Sequence, residues 1–224
     1  MTDMWIDLVP LLLAMMISPA RTLAVILLLH TPRGATTALG FVGGMVSSML
    51  LQGAALGAAM SIVGRAAEDR SADLAVLIGV LFLLGGVILL AGAFKIATAP
   101  GAGGTLRSLL ERLENLDPKG AYQVGFGWLL ASPKQWVFVL TVVAVIFAAQ
   151  LPPLGSLANY LVFTLLVQAA YFLIIGAYAL ARERVSGILD AAFGWIRMHL
   201  RATAIGVFGF FGVVFVIKGL TTLG

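Results

Sequence analysis

Two cations stand where an apolar chain can least carry them. Arg21 follows Ser18-Pro19 and Lys134 follows Ser132-Pro133, each pair near the middle of a long apolar run. An Arg or Lys at the centre of a membrane helix costs about 2.5–3.5 kcal/mol on insertion scales, so each needs an offsetting partner. The chain has 10 carboxylates, and Asp3, Asp7, Glu68, Asp69, Asp73, Glu111, Glu114, Asp117, Glu183 and Asp190 all lie in termini, loops or run ends. What remains is backbone carbonyl freed at the prolines, water, or an anionic substrate group. Arg grips a phosphate, sulfate or carboxylate bidentately, whereas Lys acts as a point charge. Snorkelling to an interface is the alternative for either residue; it is harder to hold for both.

The surroundings of the two cations are similar to each other. Leu13-Ala14-Met15-Met16-Ile17-Ser18-Pro19 resembles Gly127-Trp128-Leu129-Leu130-Ala131-Ser132-Pro133, with Ser-Pro recurring 114 residues later. The copies lie three apolar runs apart, in the first and the fourth. An odd number makes the second copy enter the membrane from the opposite side, the arithmetic of an inverted-topology repeat. Proline inside a helix removes one hydrogen bond and clashes with the preceding turn. Irregular backbone at membrane depth is tolerated only against protein or a water-filled cavity. Paired broken helices point to a transporter's central site; ordinary kinks are the competing reading. The candidate substrate-binding residues are therefore Arg21, Lys134, Ser18, Pro19, Ser132 and Pro133. Gln168, the polar residue deepest in the fifth run, joins them as a candidate to face the cavity, while Tyr160, Tyr171 and Tyr178 fit belt or packing roles equally well.

The elements that must hold these residues follow from composition. Of 224 residues, 61% are hydrophobic and 11% charged, with a mean hydropathy of +1.05. A soluble domain carries about 25% charged residues, so a water-soluble globule is excluded. Apolar runs fall at roughly 5–30, 36–63, 73–98, 121–149, 155–181 and 202–221, long enough for helices of about 20 apolar residues. They are apolar all round, unlike the alternating strands of a barrel. The expected fold is all-α and polytopic. Six transmembrane helices form two inverted three-helix repeats with Pro-broken first helices, in one domain, 1–224 (repeat 1–98, cytoplasmic connector 99–120, repeat 121–224).

The net charge of +4 and pI near 9.8 read as topology markers rather than a nucleic-acid footprint. Arg33, Lys95, Arg107, Arg112, Lys119, Arg182, Arg184, Arg197 and Arg201 fall on one side, against Arg65, Arg70 and Lys218 on the other. The positive-inside rule then puts the 31–35, 99–120 and 182–201 connections in the cytoplasm and both termini outside. Met1 to Asp7 carries no Lys or Arg, so the first run reads as a retained span and not a signal peptide. Thr105–Leu116 aligns Leu106, Leu109, Leu110, Leu113 and Leu116 on one face, suited to the membrane interface or to packing beneath the bundle. Residues 188–200 either do the same or lengthen the sixth helix.

Several chemistries are excluded. There is no cysteine, hence no disulfide, Cys metal site or thiol nucleophile. No Walker A pattern occurs. His30 and His199 sit at an interface and in a connection, and no acid/base pair or ligand cluster lies within the runs. Neither an enzyme nor a cofactor or metal is expected. Gly40, Gly44, Gly53 and Gly57 on the second run, and Gly206, Gly209 and Gly212 on the sixth, allow close helix crossings.

The run from Ser18 to Leu29, with Thr31-Pro32-Arg33-Gly34 and the Gly40-to-Gly44 stretch, resembles the GAP family. These are the peptidoglycolipid- and sulfolipid-addressing proteins of the lysine exporter superfamily. Leu116-Asp117-Pro118, Gly125-Phe126 and Ser132-Pro133-Lys134 resemble its second-half motif, with Ser132 where the superfamily commonly has Asn. The resemblance covers nearly the whole chain. It implies a six-helix inner-membrane exporter linked to moving glycolipids toward the cell envelope.

The function expected is a secondary exporter or flippase-like transporter of an anionic lipid or glycolipid, its headgroup held by Arg21 and Lys134. An exporter of a small amphiphile or amino acid is the alternative, and a non-transporting scaffold for lipid-synthesis or lipid-export machinery is a third. The partners are membrane lipids and the lipid cargo, with such machinery and a homo-oligomer both compatible, and no nucleic acid.

Overall fold

Proline placement divides the chain. The computed structural model describes residues 2–66, 71–98, 113 and 116–223, and within them eight helices. α1 (Thr2–Met16) and α2 (Pro19–Leu29) are separated by Ile17 and Ser18 and bent by 52°. α3 spans Gly34–Ala66 and α4 spans Ser71–Thr98. α5 (Pro118–Leu130) and α6 (Pro133–Ala148) are bent by 72° across Ala131 and Ser132. α7 is Pro153–Leu180 and α8 is Arg182–Leu223. Four of these helices are long and apolar enough to cross a membrane, or six spans if each bent pair counts as one.

The breaks and ends have local causes. Pro19 and Pro133 each open a helix, where the missing N–H is harmless and the ring forbids continuation from the preceding turn. Pro10 lies inside α1 without ending it. Asp117 caps α5 by accepting from the Gly120 amide at 2.8 Å. Gly34 opens α3 where a β-carbon would meet the Leu29 carbonyl oxygen at 2.1 Å, so the turn after α2 needs a glycine there. At the other end of the bundle, Gln150 takes a positive φ of 50° before Leu151-Pro152-Pro153 starts α7.

Two long pairings frame the bundle, α3 with α5 and α4 with α8, and α6 packs between α3 and α4. Its Phe138 meets Phe215 of α8, which in turn meets Phe82 of α4, with ring centroids 5.4 and 5.5 Å apart. The core also buries Leu23, Val25, Phe41, Met45, Val142, Phe163 and Val167. The outer surface is apolar as well, with Phe94, Leu173 and Ile217 more than half exposed, as expected of a face solvated by lipid tails.

The 182–201 connection takes the second of its two expected forms. It continues into α8, whose 42 residues make a rod of about 63 Å, roughly twice the hydrocarbon thickness. His30 at the end of α2 reaches this extension, pairing with Asp190 at 2.8 Å. At the opposite end Lys218 pairs with Asp7 at 2.7 Å. The amphipathic stretch 105–116 lies outside the described residues except for Leu113, which is buried, and Leu116. The glycine expectation divides: a β-carbon on Gly40, Gly44, Gly53 or Gly212 would strike a neighbouring helix, whereas Gly57, Gly206 and Gly209 have nothing within 4 Å.

Candidate functional site

Each proline leaves the carbonyl four residues before it without its helical donor, so the breaks can be audited atom by atom. At the first break the orphan is Met15, and its carbonyl accepts from Arg21 Nη2. The next carbonyl, Met16, accepts from the Tyr171 hydroxyl of α7 at 3.3 Å. At the second break the orphan is Leu129, whose carbonyl accepts from Gln52 Nε2 of α3 at 3.1 Å and from the Ser132 amide at 3.2 Å. Leu130 accepts from Trp136 Nε1 at 2.8 Å. At each break one side-chain donor comes from just beyond the proline, and the other from a long helix of the opposite half of the chain.

Arg21 is the third residue of α2, 5% exposed, and turns back toward its own break. One end of its guanidinium is committed to Met15, and Nη1 is buried with no partner among the described residues. One of the five guanidinium N–H donors is spent on Met15, and those of the unpaired Nη1 are among the ones left to donate to an anion. Lys134 is the second residue of α6 and half-buried, its Nζ 4.7 Å from the centroid of Phe208 on α8 and 5.7 Å from that of Phe138. Such cation–π contacts are worth about 0.5–2 kcal/mol, a partial offset for burial. Arg21 lies close enough to Lys134 for their charges to repel. The ion pairs among the described residues, His30–Asp190 and Lys218–Asp7, involve neither of them.

Ser18 and Ser132 occupy the N-cap positions of α2 and α6, and neither hydroxyl caps its helix. Ser18, Pro19 and Ser132 are half-buried and Pro133 is exposed. Both half-helices start at the breaks, so their positive dipole ends add to the charge of Arg21 and Lys134. Chemically, two cations, two helix N-termini and one guanidinium nitrogen unpaired among the described residues are groups that can attract an anion.

Gln168 is fully buried on α7, its Nε2 3.7 Å from Met49 Sδ of α3 and its Oε1 without a partner among the described residues. Gln52, Gln135 and Thr164 are equally buried, and each also leaves one polar atom unpaired. A cavity of about 920 Å³ lies between α3, α6 and α7, and none of the seven sequence-predicted site residues lines it. Gln52 and Trp136 escaped the sequence reading, although a lone Gln in an apolar run, and a Trp three places after a mid-run proline, were available signals. Tyr171 was visible without a role.

No curated protein and no solved structure matches the chain. Residues 8–221, which include both breaks, both cations and the α3 and α7 donors, match the family described as Sap, sulfolipid-1-addressing protein, and the chain belongs to that family.

Proposed function

We propose that the protein is a secondary carrier, not an enzyme, that moves an anionic lipid or glycolipid across the inner membrane toward the cell envelope. The observation that carries this is the pair of cations at the two helix breaks, Arg21 buried and Lys134 half-buried, with no carboxylate partner for either among the described residues. A sulfolipid, the class printed in the family's description, bears a negatively charged headgroup of the kind such a site attracts. Arg21 Nη1 and Lys134 Nζ would hold the anion, with the first-turn amides of α2 and α6 adding to the field. An anion between them relieves the like-charge repulsion and offsets part of the cost of burying both.

The same reading takes the two bent pairs as single spans, giving six spans in two inverted halves with both termini outside. The reciprocal capping supports it, since Gln52 of α3 serves the second break and Tyr171 of α7 serves the first. Within this arrangement Ser18-Pro19 and Ser132-Pro133 are the places where backbone can rearrange at low cost, because part of their hydrogen bonding already comes from side chains.

The test uses purified protein reconstituted in vesicles with a fluorescent sulfated glycolipid, reading transfer between leaflets. Lys134→Gln isolates the charge, because Arg21→Gln also uncaps Met15. Lys134→Gln should slow transfer at least ten-fold and reduce melting stabilisation by the lipid, which tracks affinity by mass action. Transfer at the wild-type rate by the Arg21→Gln, Lys134→Gln double variant would reduce the pair to packing and topology and remove the anion site.

A further inference from the structure

The cavity of about 920 Å³ sits at the end of the bundle where α3 and α6 finish and α7 begins. Its walls are apolar, with Leu50, Val143, Phe147 and Leu157 among them, and its polar residues are Ser61, Gln150 and Ser156 toward the membrane surface and Tyr160 at the inner end. An engineered apolar cavity of about 150 Å³ takes one benzene, so about 920 Å³ has room for on the order of thirty-five carbons, one or two long acyl chains. A β-carbon on Gly57 would meet nothing within 4 Å, so the α3 wall is open there. One turn earlier Gly53 is pressed against the Tyr160 ring, which closes the inner end.

From Tyr160 a polar row continues along one face of α7. Thr164, Gln168 and Tyr171 follow at helical spacing, and all four side chains are buried. The row ends at the first break, where the Tyr171 hydroxyl holds the Met16 carbonyl beside the carbonyl that Arg21 holds. Thr164 Oγ1, Gln168 Oε1 and, on the facing helix, Gln52 Oε1 have no partner among the described residues. Each such buried atom is destabilising while unpaired, and hydroxyl donors would satisfy it. Eleven residues of α7 separate the two ends, about 16 Å along the axis, comparable to the reach of a lipid from headgroup to chains.

We propose that the cavity holds the acyl chains of a lipid whose anionic head lies on Arg21 and Lys134, and whose intervening sugar or glycerol hydroxyls donate to Gln168, Thr164 and Gln52. This rests on the lipid-carrier reading above and adds the tail and linker sites to it. An amino acid leaves the cavity empty, and a bare fatty chain leaves the row unpaired. An amphiphile with a polyhydroxylated middle satisfies both.

The test is photolabelling of the full chain in nanodiscs containing a diacylated, sulfated disaccharide lipid with a diazirine in one acyl chain, the adducts mapped by mass spectrometry. Residues 57, 143 and 147 should carry at least five-fold more label per residue than the exposed positions Phe94, Leu173 and Ile217. Gly57→Phe, which fills the cavity from α3, should lower cavity labelling at least five-fold and leave Leu173 unchanged; Gly57→Leu serves if that variant does not fold. Equal labelling of cavity and outer surface, or no effect of either substitution, would overturn the acyl site and leave the headgroup reading to the transfer assay. The Arg21→Gln, Lys134→Gln variant should lose cavity label as well. Retention there, with sensitivity to Gly57→Phe intact, would instead overturn the headgroup reading and the link between head and tail.

Discussion

Replacing Gly44 by Ala puts one carbon into the narrowest part of the α3–α5 crossing. That carbon would lie 2.1 Å from the Tyr122 carbonyl oxygen and 2.7 Å from the Phe126 amide nitrogen. Ordinary contact starts at 3.4 Å, so the helices must part by about 1.3 Å (3.4 − 2.1) at that point. Both obstructing atoms are backbone, and no rotamer change relieves them. Overpacking of this kind costs about 1–3 kcal/mol and occasionally more, set against about 1 kcal/mol gained when Ala replaces Gly in a helix interior. The net loss is up to about 2 kcal/mol, or up to about 8 °C in Tm for a chain of this size. Gly57→Ala, thirteen residues along the same helix, makes the same propensity gain with nothing to strike, and its Tm should hold or rise by about 2–4 °C. Intrinsic tryptophan fluorescence of purified protein during a thermal ramp reads both, with Trp128 on α5 next to the perturbed crossing. Because α5 leads into Ala131-Ser132, Gly44→Ala should also displace the second break and slow lipid transfer. Equal melting of the two variants would refute the close-crossing account and with it the claim that α3 positions the break.

Two further outcomes are expected. Gln52→Leu removes the donor to Leu129 but also an unpaired buried oxygen, and Leu129 keeps the Ser132 amide; stability should change by less than about 1 kcal/mol, in line with hydrogen bonds measured within membranes, while lipid transfer falls several-fold. A Tm loss equivalent to about 3 kcal/mol or more would contradict this accounting. In this cysteine-free chain, Thr2→Cys and Gln150→Cys should react with an impermeant thiol reagent from outside and Asp117→Cys only from the cytoplasm; the reverse pattern would invert the proposed orientation and every loop assignment built on the cation split.

Much of the architecture was legible because it depends on local quantities. The length of an apolar run decides whether a helix can cross a membrane, and proline ends a helix through its own ring and missing N–H. Hence the breaks at Ser18-Pro19 and Ser132-Pro133, and the lack of a carboxylate partner for Arg21 and Lys134 among the described residues, could be read without coordinates. The extension of α8 was one of two readings for residues 188–200, since an amphipathic pattern serves a surface helix and a lengthened span alike.

The rest depends on distances between segments far apart in the chain. Gln52 reaches Leu129 across 77 residues and Tyr171 reaches Met16 across 155; nothing local in an apolar run says which orphan carbonyl a distant amide or hydroxyl will meet. Arg21 illustrates the boundary. Its burial in an apolar setting follows from its neighbours in sequence, but only the fold commits Nη2 to Met15 and leaves Nη1 without a partner among the described residues. Glycine spacing has the same limit, since Gly44 and Gly57 look alike in the sequence and differ only in whether another helix passes within reach. The cavity between α3, α6 and α7 is a negative of side-chain volumes contributed by three helices. Apolar periodicity determines that each helix buries a face, and only the way those faces meet decides where they fail to fill the space.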